Sequence, residues 1–249
     1  VYDGLKPSQR KILYTLLSEP ESLSKTFRKV YQVSSKAATF ACYHHGNTSI
    51  DETTCGMMQT WAGSNNITLL GGSGMTGSRF RNGEDHGATR YIKCNLAKIA
   101  RAIFPKSDDS LLSRCIIDQQ IAEPVFYMPI IPMSLINGSI GIGTGYSSTV
   151  PLHNPVDCIK YIEKFLNSCV DENKNFINLK FKNIDETIHN KCVELAQYAP
   201  FAFYRGFKGT INKETYSDGS DFRYEIKGIY EFINPTEQKT KNKKDTFYK

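Results

Sequence analysis

Apolar residues recur at helical spacing early in the chain. Ile12, Leu13, Leu16 and Leu17 follow Pro7, a residue that a first helical turn tolerates, and together they predict an amphipathic helix over residues 7–18. Lys6, Arg10 and Lys11 lie on its polar face. Ser34 or Ser35 can cap a second helix reaching about His44. In Ser49-Ile50-Asp51-Glu52 the serine can accept from a first-turn amide while the glutamate reaches back, a reciprocal cap that predicts a third helix over 50–61. Residues Tyr43 to Thr48 join the last two into a helix-turn-helix.

Asn66 to Leu70 reads as a short strand, followed by a polar, glycine-rich run; a structureless stretch of that length inside a domain is usually functional or disordered. Ile92, Leu96, Ile99 and Ile103 then predict a helix over 92–104 that Pro105 ends, with Tyr91 at its mouth. The texture changes between residues 125 and 130. Residues 129–133 and 135–138 are strand-like, Gly141 to Gly145 form a second glycine cluster, and residues 155–168 are helical by pattern. Strands are expected over 206–211 and 222–226, with a turn at Asp218-Gly219 between them. The fold class predicted is α+β.

The 249 residues suffice for one large or two ordinary domains, and 40% hydrophobic with 12% aromatic content predicts a folded chain. No apolar run reaches membrane-spanning length and no leader precedes the first helix, so an intracellular protein with no membrane partner is expected. Seven cysteines at irregular spacings, without a C-x-x-C pair, predict reduced core residues rather than a disulfide framework or a zinc site. Both ends read as cut from a longer polypeptide.

The net charge of +6 is uneven: residues 1–36 hold seven Lys and Arg against three acids, and residues 79–101 hold six against two. Two such stretches suit a polyanion, although solvated faces alone can produce them.

Gly72-x-Gly74-x-x-Gly77 matches the dinucleotide fingerprint letter for letter. That fingerprint needs a helix to begin inside it, and Ser78 to Gly83 has no apolar helical period. Cys42, His44 and His45 could be taken for metal ligands, but no second cluster lies at ligand spacing.

Tyr91, preceded by Arg90, offers other chemistry. Attack of a phenol oxygen on a phosphodiester keeps the energy of the broken bond in a phosphotyrosine ester, and an adjacent guanidinium offsets transition-state charge. Spacing alone leaves open that Arg90 pairs with Glu84 or Asp85.

Asp3 to Lys11, Tyr43-His44-His45-Gly46, Gly63-Ser64-Asn65-Asn66, Arg90-Tyr91-Ile92, Pro129-Ile130-Ile131-Pro132, Ile136-Asn137-Gly138, Gly141 to Gly145 and Tyr204 to Gly209 resemble, in order, landmarks of the type IIA DNA topoisomerases. The Tyr-His-His-Gly and Gly-Phe-Lys-Gly forms are closer to the eukaryotic and large-DNA-virus enzymes than to bacterial gyrase. The resemblance implies a winged-helix DNA-cleavage domain over 1–128 and the beginning of a mixed α/β tower domain over 129–249. It implies that Tyr91 is the residue joined covalently to the 5′ end of DNA and that Arg90 is its catalytic partner. Lys6, Arg10, Lys11, His44 and His45 match DNA-contacting positions, and Ile142 matches an isoleucine that wedges between base pairs.

Glu84 to Thr89 replaces a commoner Lys-Asp-Ala-Ala-Ser-Pro type of sequence, and Met75 to Arg79 also departs, which marks a divergent member. The family further implies a homodimer acting on double-stranded DNA with Mg²⁺ and ATP, whose Toprim and ATPase domains this stretch does not contain; no acids here match the metal-binding motifs, so no metal residue is assigned. A nuclear location follows if the source is eukaryotic, and host-cell cytoplasm or nucleus if it is viral. The alternative is a winged-helix module that binds DNA without chemistry.

Overall fold

Helix α1 (Pro7–Leu17) starts with proline in its first turn, and the Gln9 side chain accepts from the Lys6 amide at 2.9 Å. Ile12, Leu13 and Leu16 are fully buried. The Arg101 guanidinium covers the carbonyls left open at its C-terminus, lying 3.3 Å from Leu17 O and 2.9 Å from Glu19 O.

A short α2 (Glu21–Ser24) and strand β1 (Arg28–Lys29) lead to α3 (Val30–Phe40) and α4 (Asn47–Met57). Strands β2 (Leu70–Ser73) and β3 (Lys93–Leu96) complete an antiparallel sheet of order β1-β3-β2. Three helices closed by such a sheet, with one long loop between its last two strands, make a winged helix. Its core joins Leu13, Val33, Ile50, Leu70, Cys94 and Ile103 and runs on to Met133, Ile136 and Cys158.

Several sequence expectations shift. Helix α3 starts at Val30, so Ser34 is a buried interior residue bonded to the Val30 carbonyl at 2.9 Å and to Asp51. Helix α4 starts at Asn47 after Gly46, which leaves Ser49 inside the helix with its hydroxyl 3.2 Å from that of Tyr43; the expected reciprocal cap does not form. Residues 92–104 are not one helix. Ile92, Cys94 and Leu96 are buried while Lys93 points outward, the period-two pattern of β3, and the helix is only α5 (Lys98–Ile103).

Strand β2 likewise falls later than expected: the amide and carbonyl of Ile67, inside the expected strand, are both taken by the Asn137 side chain. Residues 129–138 yield a short helix α6 (Met133–Ile136) rather than strands.

The hairpin β4 (Arg114–Ile117) and β5 (Gln120–Pro124) carries no glycine signal, since Asp118 and Gln119 take φ of 48° and 63° themselves. A second hairpin, β6 (Ser139–Gly143) and β7 (Tyr146–Val150), pairs Ile142 with Ser147. Helix α7 (Pro155–Ser168) is where the pattern put it, capped by Asn154, whose side chain accepts from Val156 N at 2.9 Å. Helix α8 (Ile184–Glu194) follows.

The computed structural model describes residues 2–169, 184–215 and 222–231, and contacts divide the chain into two units between Gly206 and Phe207. In the second unit β8 (Thr210–Thr215), which begins later than the 206–211 expected, pairs antiparallel with β9 (Phe222–Lys227), which falls where a strand was expected; Asp218-Gly219 lies outside the described residues. Among the described residues no helix is long and apolar enough to cross a membrane. The cysteines are free thiols, and burial pushes Cys55 and Cys94 up to about 12, which makes them inert.

Candidate active site

Tyr91 closes the wing loop just before β3 and is 73% exposed. The loop beneath it is fixed at several points. Tyr91 N donates to Ala88 O at 2.8 Å, Ile92 is buried, and the Ile92 and Thr89 carbonyls accept from Val30 N and Tyr31 N at 3.1 and 3.3 Å. Those two amides belong to the first turn of α3 and have no partner within the helix, so the loop satisfies them and is held in return.

The Arg90 guanidinium stands 5.3 Å from the centre of the Tyr91 ring. Asp85, which spacing alone left open as a partner for Arg90, instead accepts from the Ser78 hydroxyl and amide at 2.6 and 2.7 Å, and those hydrogen bonds hold its carboxyl below the ordinary value.

Gln59, at the end of α4, was not singled out from the sequence. Its buried amide donates to Thr76 O at 3.2 Å and Gly83 O at 3.1 Å and so sets the base of the loop. A methyl on Gly83, whose φ is +84°, would overlap that amide. No helix opens within the Gly72–Gly77 run: Gly72 lies in β2, and only a three-residue 3₁₀ turn, Arg79–Arg81, follows. The dinucleotide match is therefore accidental. Phe80 is 93% exposed on that turn, between Arg79 and Arg81.

The other sequence candidates divide into outward and inward residues. Lys6 is exposed before α1. His44 is exposed and 2.9 Å from Asp118 at the tip of the β4–β5 hairpin; His45 is exposed and meets the Tyr43 ring edge-on at 5.2 Å. Lys11 is buried, its ammonium bonded to Ala41 O and, at 2.9 Å, to Glu123. Arg10 grips Asp3 through Nε at 2.7 Å and Nη2 at 3.0 Å, and also donates to Leu5 O.

Arg10 and Lys11, expected at phosphates, thus both have partners within the protein. Arg28 and Lys36 both bond Glu19, and Arg101 caps α1, so the basic stretches overstate the free positive surface. What remains exposed includes Lys6, Lys29, Arg79, Arg81, Arg90, Lys93 and Lys98.

Ile142 is 88% exposed on β6, with no side chain on Gly141 or Gly143 to crowd it. Asn66 anchors the base of this hairpin. Its amide donates to the Ile136, His153 and Phe203 carbonyls at 2.8 to 3.0 Å, and its oxygen accepts from Arg205 N at 2.8 Å. Asn137 answers by bonding both the amide and the carbonyl of Ile67, at 2.9 and 2.8 Å. Asn65 covers the end of α4 through Gly56 O and Gln59 O. The motif asparagines are therefore a backbone staple, a role the sequence did not disclose.

Among the described residues no three His, Cys, Asp or Glu side chains converge as a metal site would require. Glu84, Asp85, Asp108 and Asp109, the acids nearest Tyr91 in sequence, form no such cluster; Asp85 is bonded by Ser78 and Asp108 by Ser107.

The fold is a winged helix whose wing ends in an exposed, arginine-flanked tyrosine. The chain belongs to the family of DNA gyrase and topoisomerase IV A-subunits, whose model matches residues 1–247. Relatives include DNA topoisomerase 2 of Arabidopsis thaliana, 37% identical over 234 residues, and the probable DNA topoisomerase 2 of Dictyostelium discoideum, 38% identical over 234 residues. In both cases the match covers 94% of this chain but 14% of the relative. The crystal structure of the Plasmodium falciparum topoisomerase II DNA-binding, cleavage and re-ligation domain aligns with a TM-score of 0.74 at 35% identity, covering 94% of this chain and 27% of that one. The leaning toward eukaryotic enzymes seen in the sequence is borne out.

Proposed function

We propose that this chain is the DNA breakage-and-reunion region of an ATP-dependent type IIA topoisomerase, with Tyr91 as nucleophile. The observation that carries the reading is the exposed Tyr91 with Arg90 over its ring, on a loop bonded to the first turn of α3. The phenol oxygen attacks a backbone phosphorus, the bond to the 3′ oxygen breaks, and the phenol proton balances the departing 3′ hydroxyl. A 5′-phosphotyrosyl ester remains, and the reverse attack reseals the strand without outside energy. Arg90 offsets the charge that builds on the phosphate oxygens.

Lys6, Arg10, Lys11, His44 and His45 line the surface that meets the DNA backbone, Arg10 and Lys11 also being bonded within the protein to Asp3 and Glu123. Ile142 enters between base pairs, as an apolar side chain raised on a glycine-flanked hairpin can. Residues 1–128 form the cleavage domain and 129–249 the start of the tower domain. Mg²⁺ and ATP are held by Toprim and ATPase domains elsewhere in the polypeptide, and a homodimer supplies the two tyrosines that cutting both strands requires. The protein works in the nucleus if eukaryotic, or in host nucleus or cytoplasm if viral.

Trapping with denaturant during DNA cleavage by the full-length protein tests this. A covalent protein–DNA adduct that disappears in Tyr91→Phe is expected. An adduct unchanged in that variant removes Tyr91 as nucleophile, and DNA binding without any adduct in the wild type leaves a non-catalytic winged-helix binder.

A further inference from the structure

The Tyr91 loop is tied to the helix-turn-helix through a side-chain bridge distinct from the reacting groups. Asp51, at the end of the first turn of α4, accepts from the Thr89 hydroxyl at 2.9 Å through Oδ2 and from the Ser34 hydroxyl of α3 through Oδ1. Thr89 lies two residues before the nucleophile, and its carbonyl already holds Tyr31 N. One residue of the loop is therefore fastened by its backbone to α3 and by its side chain to α4. Thr89 is also one of the positions where this chain departs from the commoner family sequence.

The Tyr91 side chain is mostly in solvent, so its aim must come from the backbone that carries it rather than from packing around the ring. Ile92 and the two α3 amides set the depth of that backbone, and Gln59 holds the base of the loop at the far end of α4; the Asp51 bond refers the segment next to Tyr91 to the first turn of α4, which presents the exposed Asn47, Thr48 and Ser49. We propose that Thr89 and Asp51 are positioning residues that hold the Tyr91 phenol at a fixed distance from DNA docked on the first turn of α4. The inference rests on reading Tyr91 as the nucleophile. Reacting atoms must approach to within a narrow range, and an error of about 1 Å costs on the order of a hundredfold in rate.

The test compares single-turnover adduct formation and DNA affinity in the full-length protein with its metal. Thr89→Val keeps the branched shape and removes the donor. Adduct formation is expected to slow on the order of tenfold while affinity stays within about twofold, and Thr89→Ser should recover the rate. In an Asp51→Ala background Thr89→Val should add no further loss, because the two groups act as one unit. An unchanged rate in Thr89→Val overturns the proposal, as does a loss of affinity in proportion to the loss of rate, which would mean a disordered loop. If the wild type forms no Tyr91 adduct, the nucleophile reading fails first and this inference goes with it.

Discussion

Lys11 and Glu123 meet at 2.9 Å across the interface of α1 and β5, with side chains 9% and 6% exposed. Removing one partner leaves the other charge buried and unpaired, so Glu123→Ala should cost about 3–5 kcal/mol in unfolding free energy. The double change Lys11→Met with Glu123→Leu should recover most of that, since an apolar pair of similar volume avoids the desolvation cost. Because the ammonium already faces inward, the salt dependence of DNA affinity should match wild type in the double variant. A shallower slope in a salt titration would mean that the Lys11 ammonium itself contacts phosphate.

Asn66 joins four backbone groups drawn from Ile136, His153, Phe203 and Arg205, and its two amide hydrogens serve three carbonyls. Two of those carbonyl bonds are buried. Asn66→Ala should destabilise on the order of 3 kcal/mol, and Asn66→Asp nearly as much, because a carboxylate cannot donate to the carbonyls. Thermal melting checks the magnitude. Hydrogen exchange checks the mechanism: the amides of Arg205 and His153 should exchange faster in the variant, with those of α1 unchanged.

The Arg90-Tyr91 pair at the end of an exposed loop and the α+β class were legible because each depends on local order in the chain: a dipeptide beside a glycine-rich loop, and helical periods as regular as that of α1. The same periodicity misled at residues 92–104, where Leu96, Ile99 and Ile103 satisfy a helix and Ile92, Cys94 and Leu96 equally satisfy a strand; pairing with β2 decides in favour of β3. What was not legible depends on partners far away in sequence. The partner that Lys11 finds in Glu123 lies 112 positions on, and Asn66 finds partners as far as 139 away. The β4–β5 hairpin was missed because its turn bends through two non-glycine residues.

Asp3 gives the fold an acid-sensitive point. Burial alone would raise its carboxyl, but the Arg10 guanidinium and the amides of Tyr127 and Leu5 outweigh that and hold it below the ordinary 3.8. Glu19 is lowered in the same way, burial opposed by Arg28 and Lys36. A depressed folded value means the stabilisation is complete above the unfolded value and is lost as pH falls through the folded one. Unfolding free energy should therefore decline as pH drops below about 4 and continue to fall past the ordinary Asp value. Asp3→Asn should be less stable at neutral pH and show a shallower decline in that window. Denaturant titrations at a series of pH values measure both, and an unaltered slope would mean that the Asp3–Arg10 contact carries no net stability.

Ile142 separates binding from deformation of DNA. It is exposed and its neighbours on the strand are glycines, so Ile142→Ala creates no cavity and should leave the melting temperature of the protein unchanged. In the proposed role the side chain occupies a gap between base pairs, and unstacking a step costs a few kcal/mol that its apolar contact offsets. Truncation to Ala removes most of that contact but none of the phosphate contacts, which supply most of the affinity and its salt dependence. Energy transfer between dyes at the ends of a duplex should show a marked loss of bending in Ile142→Ala, with affinity reduced by roughly tenfold or less. Ile140, 63% exposed two residues away on the same strand face, is the control: Ile140→Ala should bend DNA as wild type does. Equal loss in both variants would assign bending to the apolar face of the hairpin as a whole rather than to a single wedge at Ile142.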